Sequence, residues 1–144
     1  MKKIIALGCD HAGYDLKLEI IKELQAMDYE TVDFGCDSEE SIDYPDYAHP
    51  VADYVEENKT LGILICGSGN GISMSANKHQ GIRSAICWTQ EIAALARQHN
   101  NANILSLPAR FITVDEAKEI THTFFTTDFE GGRHERRVNK ISCS

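Results

Sequence analysis

The stretch that decides the fold runs from Leu61 to Gly71 and reads LGILICGSGNG. Its first six residues are almost all apolar, as expected of a strand that is covered on both faces. Three glycines among the next five residues indicate a tight turn, because glycine adopts backbone conformations that other residues avoid. A turn of this kind between a strand and a helix can direct several backbone N–H groups at an anion. The stretch therefore predicts a buried parallel strand that ends at a binding edge.

Strand-like and helix-like segments alternate on both sides of this stretch. Apolar runs predict strands over residues 3–8, 29–34, 61–66, 82–87 and 103–107. Apolar residues at helical spacing predict helices over 14–27, after Pro45, over 72–78, over 89–98 and after a capping box formed by Thr113 and Glu116. Two glycines and three arginines from about residue 131 predict a final helix or arm. Strict alternation predicts a parallel sheet with helices on both faces.

Length, charge and cysteine content narrow the class of protein. The 144 residues predict one domain, and a net charge of -8 spread along the chain argues against binding to nucleic acid or acidic membranes. We expect no secretory signal and no segment that spans a bilayer. Five widely spaced cysteines without a C-x-x-C pair predict reduced thiols in a cytoplasmic protein, without structural zinc.

Reactive side chains follow several of the predicted strands, where parallel α/β proteins bind their ligands. Asp10 and His11 follow the first strand, Cys66 ends the third, and Arg110 follows the fifth. We expect the fourth helix to deliver His99 to the same edge. A cysteine beside backbone donors and a helix N-terminus usually has a lowered pKa, so Cys66 is a candidate thiolate. The alternative, a small buried apolar side chain, stays open for Cys66.

Two further candidates have ordinary alternatives. His99 suits proton transfer near neutral pH, although a histidine at a helix end is often a surface or capping group. Arg133, Arg136 and Arg137 match the geometry of a phosphate, although they are equally typical of a solvated helical face. Both alternatives stay open from the residues alone.

Known anion-binding motifs fail at the glycine turn. A Walker loop needs a lysine after Gly71, and a dinucleotide fingerprint usually follows the first strand rather than the third. A cysteine phosphatase loop that starts at Cys66 needs arginine at position 72, where Ile72 stands. A phosphorelay receiver needs an aspartate in the place of Cys66. With these motifs excluded, the position of Cys66 beside the glycine turn still needs an explanation.

Several separated motifs together resemble one family. They are GCDHAG (8–13), DYP (43–45), CGSGNGIS (66–73), ANK (76–78), GIR (81–83), RQHN (97–100), Asn103 and GGRH (131–134). Their order and spacing, from about residue 3 to about residue 141, resemble those of type B ribose-5-phosphate isomerases, a group similar to the subunits of galactose-6-phosphate isomerase. One branch has a glutamate directly after the turn. Because Ile72 stands there, the chain resembles the cysteine branch, with Arg110 in PAR (108–110) instead of the usual Gly-Ser-Arg.

The resemblance implies a Rossmann-like three-layer α/β/α sandwich with a central five-stranded parallel sheet. It also implies a homodimer or dimer of dimers with active sites at the interface, and no metal or cofactor. Cys66 would be the base that moves a proton between C2 and C1, and His99 the acid that helps to open the sugar ring. The other implied substrate contacts are Gly67, Ser68, Gly69, Asn70, Gly71 and Asn100 at the enediolate, Asp10 and His11, and Arg110, Arg133 and Arg137 at the phosphate.

The implied activity is the interconversion of ribose 5-phosphate and ribulose 5-phosphate. Two alternatives stay open at the level of sequence. An isomerase of the same kind could act on a six-carbon aldose phosphate such as allose or galactose 6-phosphate. A flavodoxin-like module could bind a nucleotide or sugar phosphate without converting it, although Cys66, His99 and the turn together argue against this.

Overall fold

The computed structural model describes residues 2–143, and their centre is a five-stranded parallel sheet. Its strands are β1 (Ile4–Cys9), β2 (Glu30–Asp33), β3 (Gly62–Cys66), β4 (Ser84–Ile86) and β5 (Ile104–Pro108). The strands lie side by side in the order β2-β1-β3-β5-β4, and every neighbouring pair is parallel. The strand that ends at Cys66 is therefore the central one.

Helices connect the strands and complete the α/β fold that the sequence predicts. They are α1 (Tyr14–Ala26), α2 (Pro45–Asn58), α3 (Asn70–Ala76), α4 (Gln90–Asn100), α5 (Val114–Thr126) and α6 (Arg133–Val138). The last of them lies in the segment where the sequence predicts a final helix or arm. Within residues 2–143, no helix is both long and apolar enough to cross a membrane.

Alternate side chains of each strand enter two different layers, as the period of two in a strand requires. Ile63 and Ile65 of β3 pack in a core with apolar residues of α1, α4 and α5. Leu64 and Cys66 pack in a second core with apolar residues of α2 and α3. The expected three-layer sandwich is confirmed, and Cys66 belongs to its α2/α3 side.

Two elements, α3 and β4, begin two residues away from their predicted starts, and each shift has a local cause. Helix α3 begins at Asn70 rather than at residue 72, because Gly69 at φ +80° already turns the chain into the helix. Strand β4 covers Ser84–Ile86 rather than 82–87, because it is an edge strand that pairs only with β5 over three residues. The capping box at α5 is confirmed: Thr113 and Glu116 bond reciprocally.

A fully buried lysine holds α1 against the loop after β2. The side chain of Lys17 is 1% exposed, and its Nζ donates hydrogen bonds of 2.7 Å to Asp33 Oδ1 and 2.7 Å to the carbonyl of Cys36. We expect Lys17→Met to lower the free energy of unfolding by about 2–3 kcal/mol, since hydrogen bonds to charged groups contribute on this scale.

Urea denaturation measures this effect, with Lys22→Met as the matched control on the same helix. Lys22 is 70% exposed and forms a surface ion pair with Glu19, so its loss is expected to cost less than about 0.5 kcal/mol. Equal unfolding midpoints for the two variants would show that the buried pair does not stabilise the fold.

Candidate active site

The candidate base, Cys66, is the last residue of the central strand and is 5% exposed. Its carbonyl accepts a 2.9 Å hydrogen bond from the N–H of Ala109, so the chain after β5 runs beside the chain after β3. The N–H of Arg110 continues this contact with a 3.0 Å bond to the carbonyl of Gly67. The glycine turn and the segment around Arg110 thus form one continuous edge.

Two glycines of the turn lie close to side chains from other parts of the chain. A Cβ at Gly67 would lie 3.1 Å from Nη1 of Arg110, and a Cβ at Gly71 would lie 2.5 Å from Cζ of Tyr44. The side chain of Arg110 therefore lies over Gly67, and the ring of Tyr44 lies against Gly71. Both side chains lie beside the backbone N–H groups that the sequence predicts as anion donors.

Burial dominates the electrostatics of the Cys66 thiol. Burial raises the pKa of Cys66, and the nearby carboxylate of Asp10 raises it further, whereas backbone N–H groups of Ile72, Gly69 and Ser68 lower it. The predicted net lowering of this pKa is therefore wrong, because the α2/α3 core desolvates the thiolate more than the turn stabilises it. The predicted backbone donors are nevertheless directed at the sulfur.

Asp10 and His11 join this edge from the end of β1. The N–H of Asp10 donates a 3.1 Å hydrogen bond to the carbonyl of Ile65, which places Asp10 beside the end of β3. Its Oδ1 accepts hydrogen bonds of 2.9 Å from Ala12 and 3.2 Å from Gly13, so the carboxylate is held in one orientation. Nδ1 of His11 accepts a 3.4 Å bond from the N–H of Ile42.

The structure thus assembles one part of the predicted site, which we name the carboxyl-edge group. It consists of Asp10, His11, Cys66, Gly67, Ser68, Gly69, Asn70, Gly71 and Arg110. All of these residues follow or end parallel strands, as the rule for ligand binding in such sheets predicts.

The remaining predicted residues lie elsewhere and form what we name the amino-edge group. It consists of His99, Asn100, Arg133 and Arg137. His99 and Asn100 end α4 directly before β5 begins, and α6, which carries both arginines, packs on the end of α4. Asn100, Arg133 and Arg137 are exposed.

The expectation that His99 reaches the same edge as Cys66 is wrong within one chain. Helix α4 follows a strand and must return to the start of the next parallel strand, so its last residues lie at the opposite end of the sheet. The five residues of β5 separate the two ends by about 13–16 Å. One chain therefore holds the two groups apart.

His99 has a close neighbour that sequence analysis did not single out. The imidazole of His134, in α6, stacks on that of His99 with ring centroids 4.2 Å apart and planes 12° apart. Oε1 of Glu130 lies 3.5 Å from Nε2 of His134 and 3.9 Å from Nε2 of His99. Burial and the adjacent His99 and Arg133 lower the pKa of His134, so this ring is readily neutral.

Tyr44 contacts the carboxyl-edge group and His134 contacts the amino-edge group, and the sequence did not predict either residue as functional. Each stands inside a quoted motif, Tyr44 in DYP (43–45) and His134 in GGRH (131–134). Their place in these motifs was therefore the signal that the sequence contained. Their contacts with Gly71 and His99 join residues that are far apart in the chain.

Comparisons with known proteins find relatives over nearly the whole length of the chain. The family described as Ribose/Galactose Isomerase matches residues 5–141. The chain is 46% identical over 144 residues to ribose-5-phosphate isomerase B of Escherichia coli, covering 99% of this chain and 96% of that protein.

Solved structures are similar over the same extent. A ribose 5-phosphate isomerase from Thermotoga maritima has a TM-score of 0.95 at 48% identity and covers 99% of both chains. Ribose-5-phosphate isomerase B from Mycoplasma genitalium, with bound ribulose-5-phosphate, has a TM-score of 0.94 at 45% identity and covers 98% of this chain and 95% of that chain. With a matching family model and relatives of this identity over nearly its full length, the chain belongs to the ribose/galactose isomerase family.

Proposed function

We propose that this protein interconverts ribose 5-phosphate and ribulose 5-phosphate, an aldose–ketose isomerisation of the pentose phosphate pathway. The observation that carries the proposal is the likeness to the Mycoplasma genitalium enzyme, whose structure contains ribulose-5-phosphate, at 45% identity over 98% of this chain. The carboxyl-edge group supports it, because it combines a thiol with a turn of backbone donors. The cytoplasmic location stays a prediction of the sequence.

Cys66 is the proposed base. Its thiolate takes the proton from C2 of the open aldose, the C–H electron pair forms the C1=C2 bond of an enediolate, and the π pair of the C1 carbonyl moves onto O1. Return of the proton to C1, with transfer of a hydroxyl proton from O2 to O1, yields the ketose. The barrier is the negative charge on the oxygens, and well-placed backbone N–H donors such as those of Gly69 and Ser68 stabilise such charge by about 3–4 kcal/mol each.

A second copy of the chain supplies the amino-edge group in this proposal. His99 of that copy would protonate the ring oxygen as the sugar opens, Asn100 would assist at the enediolate, and Arg133 and Arg137 would hold the phosphate. Two observations support a homodimer. Each chain carries the two groups at opposite edges, and the exposed large apolar side chains include Met74, Trp88 and Phe111 at 66%, 54% and 74%.

An isomerisation assay over phosphorylated pentoses and hexoses tests the activity. We expect turnover of ribose 5-phosphate with a kcat/KM well above that of allose or galactose 6-phosphate. Higher turnover of a hexose phosphate would overturn the substrate assignment in favour of the six-carbon alternative. Binding of ribulose 5-phosphate without interconversion would overturn catalysis altogether.

Arg137→Ala tests the phosphate contact. Loss of a charged hydrogen bond costs about 1.5–3 kcal/mol, so we expect KM for ribose 5-phosphate to rise about 10- to 100-fold. Inhibition by inorganic phosphate should weaken in parallel, whereas kcat should change less. Arg136→Ala, in the adjacent exposed position of α6, is the matched control and should keep the wild-type KM. Equal KM values for both variants would show that Arg137 does not bind the phosphate and is a solvated surface residue.

A further inference from the structure

Two histidines and two carboxylates form a second polar cluster outside the proposed active site. His49, Asp53 and Glu56 are spaced by four and three residues along α2, which places them on one helical face. His79 contacts all three from the turn between α3 and β4. Because α2 and α3 both run back from the carboxyl edge of the sheet, Glu56 and His79 lie toward the edge opposite to Cys66.

The distances in this cluster match a metal coordination shell. Nδ1 of His79 lies 3.3 Å from Oδ1 of Asp53 and 3.4 Å from Oε1 of Glu56. Charge-assisted hydrogen bonds are shorter, at about 2.7–2.9 Å. Ligand atoms bound to zinc at 2.0–2.1 Å in a tetrahedron are separated by about 3.3–3.4 Å. The three atoms lie within 4.8 Å of one another, so a single cation can contact all of them.

Two of the ligands are held by outer contacts. Nε2 of His79 lies 2.8 Å from Nδ1 of His49, which fixes the ring with Nδ1 toward the carboxylates. The other oxygen of Glu56, Oε2, accepts a 3.1 Å hydrogen bond from the N–H of Gly81. A Cβ at position 81 would lie 2.7 Å from that oxygen, so a larger residue there would displace the carboxylate of Glu56. Outer contacts of this kind orient metal ligands and tune their affinity.

The cluster around His99 provides a contrast. His99, Glu130 and His134 also offer three ligand atoms within 4.8 Å. Their two imidazoles are stacked with planes only 12° apart, so their lone pairs lie in two nearly parallel planes and do not converge on one point. The separation of 3.9 Å between His99 and Glu130 is also longer than a zinc shell requires.

We propose that Asp53, Glu56 and His79 form a binding site for a divalent transition metal of the zinc type, with His49 as the outer partner of His79. One nitrogen and two carboxylate oxygens leave a fourth position for water, and zinc accepts this donor set. The ion would join α2 to the turn between α3 and β4, and it would stabilise the fold without taking part in the isomerase reaction.

Calorimetric titration of the chelator-treated full chain with zinc chloride tests the site. All proteins carry Cys143→Ala, which removes the exposed thiol as a competing ligand. We expect one zinc per chain, at least about 100-fold weaker binding in the double variant Asp53→Asn, Glu56→Gln, and wild-type affinity in the control Glu130→Gln. His49→Gln, which changes only the outer contact, should weaken binding about 10-fold.

Thermal unfolding provides a second readout. Zinc should raise the Tm of the parent protein and of Glu130→Gln, and it should leave the Tm of the double variant unchanged. The replaced carboxylates are 61% and 32% exposed, so the double variant is expected to fold, which circular dichroism checks. The proposal is overturned if the parent does not bind zinc, if the double variant binds equally well, or if only Glu130→Gln loses binding. Isomerase activity plays no part in these measurements.

Discussion

Replacing Cys66 by alanine is expected to lower kcat for ribose 5-phosphate by about 10²- to 10⁴-fold, the usual contribution of a positioned general base. The backbone donors of the turn remain, so part of the stabilisation of the enediolate should survive in the variant. Only one small buried side chain changes, and we expect the free energy of unfolding to fall by about 1 kcal/mol. Steady-state assays and urea denaturation measure the two effects separately.

Cys143→Ala is the matched control, because Cys143 is an exposed thiol far along the chain from the turn. Its turnover should equal that of the wild type. Near-wild-type turnover in Cys66→Ala would remove this thiol as the base and leave the proton transfer to another group.

The pH dependence follows from the same thiol. Burial raises the pKa of Cys66, and the base is the deprotonated form. The thiolate fraction therefore grows as the pH rises, and kcat/KM of the wild type should increase between about pH 7 and pH 9. If kcat/KM of Cys66→Ala does not rise over this range, the rise in the wild type comes from the thiol. An unchanged pH profile in the variant would contradict the role of Cys66 as the base.

His99→Asn is expected to lower turnover of ribose 5-phosphate by about 10²-fold, because asparagine keeps polarity without transferring a proton. A substrate that cannot close into a ring should lose less, since it needs no ring opening. Equal losses for both kinds of substrate would contradict a ring-opening role for His99.

Mixing the two inactive variants tests whether one site uses residues from two chains. In a symmetric dimer, a Cys66→Ala chain paired with a His99→Asn chain forms one doubly altered site and one intact site. After subunits exchange at equal amounts, we expect about a quarter of the wild-type activity to return. No recovery in a mixture whose dimers have been shown to exchange would place both residues in the same chain's site.

Much of the fold was predictable because each element carries a local signal. The apolar run of β3 predicts a covered strand, and the Thr113–Glu116 pair predicts the start of α5. The position of Cys66 at the end of this covered strand follows from the same pattern. These features depend on neighbours within a few residues, which periodicity and capping rules describe well.

The misplaced His99 shows a different kind of error. In a parallel sheet, a connecting helix ends at the side of the sheet where the next strand begins. This topological rule could have been applied to the alternation of strands and helices in the sequence. Because the motif RQHN (97–100) suggested a catalytic role for His99, this residue was expected to lie close to Cys66. The chain itself separates them by the length of β5.

Other features of the site could be found only in the three-dimensional structure. The sign of the pKa shift at Cys66 depends on how closely α2 and α3 cover the sulfur, which no local pattern contains. The contact between His49 and His79 joins residues 30 positions apart, and the stack of His99 on His134 joins residues on two helices. Side chains that meet across such distances are found by packing and not by spacing.

The separation of the carboxyl-edge and amino-edge groups has a consequence for dilute solutions. Under the proposed arrangement a lone protomer is catalytically silent, so the rate per milligram should fall when the protein is diluted below the dissociation constant of its dimer. Because the sheet keeps the two groups of one chain apart, the specific activity of the enzyme would depend on the concentration of the chain.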